Sequence, residues 1–321
     1  MKSGWRLFAL TAVLVLGAPA AAAAQSCVPK TNLEAIVDDS GSMSFNDPND
    51  LRIRAMELFL DTQGNEKLTL GAVEFGSDAN PLFPPGLIGP NRAAMKSALN
   101  LSLLEDDGGT DYNDAFAAAA AQNPNAAGRI FLTDGVHTDS TPYVEGHRGG
   151  PPTYVIGLGV FEGTEFDQLL ARIASETGGL YRRATDAGDL QAAMFDVNTA
   201  IACAAPPVQL TNTFTRVGQT ANRAVRIPRG IRSATFALTW DNAGDAFTIR
   251  GFRVVRRGKT VARGSKVRRL KVTRRKGATF TTVKVSRLVR GRLRFKLRST
   301  RLSSPGASVE LTTQVSRRRK R

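Results

Sequence analysis

From residue 33 to residue 202, short apolar runs alternate with longer amphipathic ones, and this alternation leaves few folds open. The runs at 33–37, 68–75, 129–133, 153–160 and 179–182 have the length and flanking glycine, proline or polar residues of strands. Between them, 52–61, 91–101, 112–122, 166–177 and 190–202 read as helices. In the first of these, Ala55, Met56, Leu58, Phe59 and Leu60 sit among charges; in 112–122 an alanine run supplies the propensity. A chain that alternates strand and helix lays its strands parallel and covers both faces of the sheet with helices. The expectation is therefore an α/β unit built on a doubly wound, mostly parallel sheet, whose ligands bind beyond the carboxyl ends of the strands.

The pattern stops at Ala204-Ala205-Pro206-Pro207, read as part of a linker over 204–208. Composition changes there too. Residues 204–321 carry 31 Lys and Arg against 3 acidic residues and residues 1–203 carry 13 against 25, nets of +28 and −12 within the overall +16. Alternating segments at 233–240, 246–255, 267–272, 279–285, 293–297 and 308–315, separated by Gly, Asn and Arg-Lys turns, predict an all-β sandwich over 209–316 with a basic tail at 317–321. Arg256, Arg257, Lys259, Arg268, Arg269, Arg274, Arg275 and Lys276 are its densest cationic stretches and candidates for binding an anionic cell-envelope polymer, in a salt-sensitive way. The same charge would also protect exposed strand edges from pairing, or dock the basic half on the acidic one. Phe214, Phe236, Trp240, Phe247, Phe252, Phe280 and Phe295 fit core positions, so few aromatics remain to stack on bases and no specific nucleic acid is expected.

The chemistry lies in Asp38-Asp39-Ser40-Gly41-Ser42, at the end of the strand 33–37. Asp38, Ser40 and Ser42 alternate, Gly41 relaxes the backbone between the serines, and the loop can turn a carboxylate and two hydroxyls toward one point. Oxygen donors of this kind suit Mg2+, Mn2+ or Ca2+. Two further segments follow in order: Gly108-Gly109-Thr110-Asp111, and a buried strand that ends in Thr133-Asp134-Gly135. Over residues 27–203 the set Asp38, Ser40, Ser42, Thr110 and Asp134 resembles the metal-ion-dependent adhesion site (MIDAS) of the von Willebrand factor type A family. The resemblance implies that Ser40, Ser42 and Thr110 contact a divalent ion directly and that Asp38 and Asp134 act through water. An Asp or Glu presented by a protein partner would complete the shell. Asp39, Asp107, Asp111 and Asp114 crowd the same rim, although Asp111 and Asp114 equally suit a helix start.

Lys2 and Arg6 precede an apolar run at 7–16, and Ala20 to Ala24 offers a cleavage point ahead of Gln25, so residues 1–24 read as a signal peptide. The run is shorter than the roughly 20 apolar residues of a membrane span, and no span is expected after cleavage. An exported chain meets oxidising conditions, and its two cysteines, Cys27 and Cys203, bracket the α/β unit. Family members with a bond tying these ends make a Cys27–Cys203 disulfide the expectation. Enzyme signatures are lacking: His137 and His147 form no zinc-protease motif, and no nucleophile elbow or phosphate loop is present. The expectation is thus a secreted or surface-held adhesion protein. The alternatives are an envelope structural protein held by its basic half and, less favoured, a metal-dependent hydrolase using acids such as Glu105 to Asp107.

Overall fold

Strand and helix alternate as expected, on a six-stranded sheet. The structure, a computed structural model, describes residues 27–63, 66–103, 108–135, 137–138, 142–204, 207–263 and 269–317. The signal peptide read at 1–24, Glu105 to Asp107, Arg268 and residues 318–321 lie outside the described residues. Strands β1 (Asn32–Asp38), β2 (Thr69–Phe75), β3 (Ala79–Leu87), β4 (Arg129–Thr133), β5 (Thr153–Leu158) and β6 (Leu180–Ala184) order as β3-β2-β1-β4-β5-β6. All pairs are parallel except β2 with β3. Helices α1 (Met43–Asn46), α2 (Leu51–Thr62), α3 (Ile88–Ser102), α4 (Tyr112–Gln122), α5 (Glu165–Glu176) and α6 (Ala187–Ala202) connect them.

β1 lies between β2 and β4, and its alternate residues feed two cores. Leu33, Ala35 and Val37 pack with residues of α2, α3 and α6, while Ile36 joins Phe75, Phe116, Phe131 and Leu170 with α4 and α5. Burial on both faces is why β1 reads as an unbroken apolar run. Besides the short helix α1, absent from the sequence reading, and α6, which starts at Ala187 rather than at 190, two elements depart from it. β3 was not expected, because Pro81, Pro84 and Pro85 argue against a strand; at a sheet edge the missing N–H groups are tolerated. Helix α3 starts at Ile88 rather than at 91, with Pro90 in its first turn, where no intrahelical donor is lost.

The second half is an antiparallel sandwich. Its strands are β7 (Val208–Phe214), β8 (Thr220–Ile227), β9 (Ile231–Thr239), β10 (Ala246–Arg256), β11 (Lys259–Arg263), β12 (Lys271–Lys276), β13 (Phe280–Ser286), β14 (Gly291–Arg301) and β15 (Ala307–Arg317). Sheets of order β11-β10-β14-β8 and β12-β13-β9-β15-β7 enclose a core that includes Phe236, Trp240, Phe252 and Phe295. The strand expected at 267–272 is displaced to Lys271–Lys276, because the charged edge strand β12 carries no apolar alternation to mark its start. Val208, assigned to the linker, already begins β7, and Arg317, assigned to the tail, ends β15.

The two halves pack on each other through α2, α6 and the five-stranded sheet. Ala237 and Phe280 of the sandwich belong to the core cluster of the α/β unit. Lys96 lies over the Phe280 ring, 5.7 Å from its centroid. Arg275 approaches Asp61 at 3.8 Å and Glu66 at 3.5 Å, and Gln314 donates to Thr199 at 2.9 Å. Part of the charge asymmetry is thus satisfied internally. Phe280→Ala is expected to cost roughly 3–5 kcal/mol. It should also split a single calorimetric transition into two, whereas one unshifted peak would mean that the junction carries no coupling.

Candidate metal centre

The loops that leave β1 and β4, together with the turn before α4, are bonded into one rim at the carboxyl end of the sheet. Asp38 is fully buried. Its Oδ1 accepts from the Ser40 amide at 2.9 Å and the Ser40 hydroxyl at 2.6 Å, and its Oδ2 accepts from the Thr133 hydroxyl at 2.5 Å. The Ser40 and Ser42 hydroxyl oxygens lie 3.0 Å apart. The Gly41 amide donates to Gly108 O at 3.1 Å, which ties the first loop to the second. A Cβ on Gly41 would stand 3.2 Å from that oxygen, and Gly108 itself adopts φ +48°, so glycine suits both sides of the contact. The Thr110 amide donates to Thr138 at 2.9 Å, and Asn46 donates to Asp134 at 3.0 Å, which brings in the third loop. Thr110 and Asp134 are themselves buried.

Several positioning residues carried no signal in the sequence. Thr133 sits between Asp38, the Gly135 amide at 3.1 Å and the Tyr112 hydroxyl at 2.9 Å. Asn46 holds Asp134. Ser77 accepts from the Gly109 amide at 2.8 Å. Of the acidic rim, Asp39 is paired with buried Arg52 at 3.0 Å, which also bonds Leu103 O at 2.7 Å and Asp47 at 3.2 Å. Asp111 caps α4, accepting from the Asn113 and Asp114 amides. His137 accepts the Tyr112 amide at 3.3 Å, as a loop histidine, and His147 is buried between Tyr143 and Glu176.

Burial pushes the Asp38 carboxyl up to about 7, and the charge of Asp134 pushes in the same direction, against the hydrogen bonds from Ser40 and Thr133. A buried carboxyl facing a second acid, with two hydroxyls beside it, is the environment that a cation relieves, so the donor set fits a hard divalent ion. No group of three or more His, Cys, Asp or Glu side chains suited to a metal occurs among the described residues. Glu34, lower on β1, is also buried, with Gln122 donating to it at 2.5 Å, and desolvation raises its pKa from 4.5 to about 7. For such a carboxyl the folded state holds the proton more tightly, so stability is full below the unfolded pKa and falls as pH climbs to about 7. Melting temperature in chelator is therefore expected to drop between about pH 4 and pH 7. Glu34→Gln should flatten that profile; an unchanged slope would exclude Glu34 as its source.

The cationic stretches read from the sequence do not form one surface. Arg256, Arg257 and Lys259 turn the β10–β11 hairpin, Arg269 bridges to Arg263, and Arg274, Arg275 and Lys276 lie on β12 in the other sheet. Arg275 is engaged by Asp61 and Glu66 and so drops out of the set. Cys27 and Cys203 are joined in a disulfide, with Cα atoms 5.7 Å apart. No helix among the described residues is long and apolar enough to cross a membrane.

No protein-family model and no curated protein matches the chain. Among solved structures it is similar to a von Willebrand factor type A protein from Catenulispora acidiphila, at 17% identity and TM-score 0.44, over 90% of this chain and 64% of that one. It is also similar to the pilus adhesin SpaC from Lactobacillus rhamnosus GG, at 13% identity and TM-score 0.44, covering 90% of this chain and 44% of that one. A third is proximal thread matrix protein 1 from the mussel byssus with a zinc-occupied MIDAS motif, at 16% identity and TM-score 0.40, over 57% and 50% of the two chains. The chain thus spans under two thirds of each. These likenesses carry no argument of their own, and the fold rests on its strand order: a doubly wound, mostly parallel α/β unit, followed by a β-sandwich.

Proposed function

We propose that this is an exported adhesion-type protein that captures an acidic group of a protein partner through a divalent cation, Mg2+ or else Mn2+ or Ca2+. Ser40, Ser42 and Thr110 would hold the ion directly, with Asp38 and Asp134 acting through water. The observation that carries the reading is the bonding of three separate loops around buried Asp38. When bound, the ion supplies an electrophilic position for a carboxylate. The residues of the chain keep that position available. Ser40 and Thr133 occupy the oxygens of Asp38, and Asn46 bonds Asp134, so both acids are restrained beside the hydroxyls rather than free to swing across them.

The rim supports a protein partner. Phe45 on α1 is 84% exposed and Phe161, just past β5, is 79% exposed. The two segments abut, since a Cβ on Gly159 would stand 3.1 Å from Asn46 O. Exposed aromatics beside a charged anchor are what protein interfaces use for binding energy. Export accords with the bond between Cys27 and Cys203. The test is a pull-down on cell-envelope fractions, with Mg2+ or chelator, at low and high salt. Binding that is lost in chelator and survives salt is expected; binding indifferent to chelator and lost in salt would refute capture at the rim.

A further inference from the structure

The five-stranded sheet of the sandwich packs against α2 and α6, which leaves the outer face of the β11-β10-β14-β8 sheet directed away from the α/β unit. On β14, Leu293, Phe295 and Leu297 face the core, so Arg292, Arg294 and Lys296 face outward. Strand pairing then sets cation against cation. Arg294 lies opposite Arg253, which lies opposite Arg263 on the next strand. Arg292 lies opposite Arg226, and Lys296 opposite Arg250. A bulge after Arg250, where Gly251 takes φ +71°, lets both Arg250 and Arg253 point to the same side. All seven side chains are exposed, and among the described residues none forms an ion pair. A shallow groove of about 520 Å³ runs between these rows, lined by Arg253, Arg292, Arg294 and Lys296.

Like charges directly opposed across strands destabilise a sheet. Three successive rows of them, with no acid on these four strands, are more than solubility or edge protection needs, since β10 and β14 are interior strands. We propose that this face binds a flexible, linear phosphate-bearing polymer without nucleobases. Same-face side chains repeat at about 6.7 Å along a strand, so a flexible polyanion laid along β14 meets a cation at every step. Six of the seven cations are arginines, whose planar forks take phosphate oxygens two at a time. No large apolar side chain is exposed on these strands among the described residues, so the face offers no platform for bases. The site includes none of the eight cations that sequence density singled out, and it owes nothing to the metal centre.

The experiment is titration of the intact protein with long-chain inorganic polyphosphate in EDTA across a salt series, with polyglutamate and duplex DNA as comparators. Arg253→Ser with Arg294→Ser should weaken polyphosphate binding by about tenfold or more and make its salt dependence shallower by roughly one to two log units per log unit. Arg274→Ser with Lys276→Ser, which removes the same charge from β12, should change binding by less than about twofold. Both pairs should melt no lower than the parent protein. Equal weakening by the two pairs would reduce the interaction to net charge and overturn the assignment. Tighter binding of polyglutamate or DNA, or no binding of polyphosphate, would overturn it as well.

Discussion

Asp38→Asn is expected to abolish divalent-dependent partner capture while leaving the metal-free protein at least as stable as the parent. The two effects share one cause. Asp38 is fully buried and burial has raised its pKa to about 7, with Asp134 adding to the shift, so its ionised form is strained in the absence of a counter-charge. Above pH 7 the unfolded chain carries that carboxylate freely and the folded chain carries it at a cost. The neutral amide removes the cost and, with it, the charge that draws a cation. Loss of an acid that acts through water weakens metal affinity roughly 10- to 100-fold. Thr110→Ala should do as much by removing a hydroxyl proposed to contact the ion, with the fold intact. Isothermal titration with Mg2+ and Mn2+, alongside melting in EDTA at pH 8, checks both halves. Undiminished affinity in both variants would remove the ion from this rim, and a marked fall in Asp38→Asn melting temperature would mean that the carboxylate serves the fold.

The second large effect concerns the covalent tie. The Cys27–Cys203 bond closes a loop with a sequence separation of 176 residues. On the chain-entropy model a loop of that size contributes about 5 kcal/mol, mainly by restricting the unfolded chain. Cys27→Ser paired with Cys203→Ser should therefore lose up to about 5 kcal/mol, read as a shift of the denaturant midpoint at unchanged slope. Reducing agent should reproduce the loss in the parent protein and add nothing to the variant. The Lys30 amide, which donates to Ile201 O at 2.9 Å, keeps the two ends adjacent in the folded form, so the cost falls on stability and leaves the shape of the rim alone. A midpoint shift worth less than about 1 kcal/mol would place the restraint in packing instead.

The reach of the sequence differed between the halves for physical reasons. β1 and β4 are buried on both faces, so composition alone marks them, and the Asp-x-Ser-x-Ser and Asp residues follow at their ends, with Thr110 in the turn before α4. β3 escaped because its prolines carry the opposite signal, and only its edge position makes them harmless. β7 and β8 escaped because few of their large apolar residues reach the core: Val208 and Leu210 are exposed, and Phe214, Val225 and Ile227 are too few to mark two strands by alternation. Thr133 and Asn46 were invisible for another reason. A hydroxyl or amide that orients a carboxylate does so through tertiary geometry, and neither spacing nor residue type announces it. The same limit applied to the basic half, where density along the chain pointed to the β10–β11 turn and β12 while pairing across strands built the continuous face on β14 and its neighbours.

The disulfide also decides how a pull would travel. A load applied at the Asp38 rim and resisted at the sandwich has a short covalent route: down β1 to Cys27, across the sulfurs to Cys203, and on through Ala204 toward β7. Everything from residue 39 to residue 202 hangs off that route as a side branch. Tension between the two halves would stretch one strand and one crosslink, and the remaining five strands of the sheet would keep their hydrogen bonds under no direct strain. In the reduced protein the same load would pass through every turn of the α/β unit in series, and the weakest pairing would yield first.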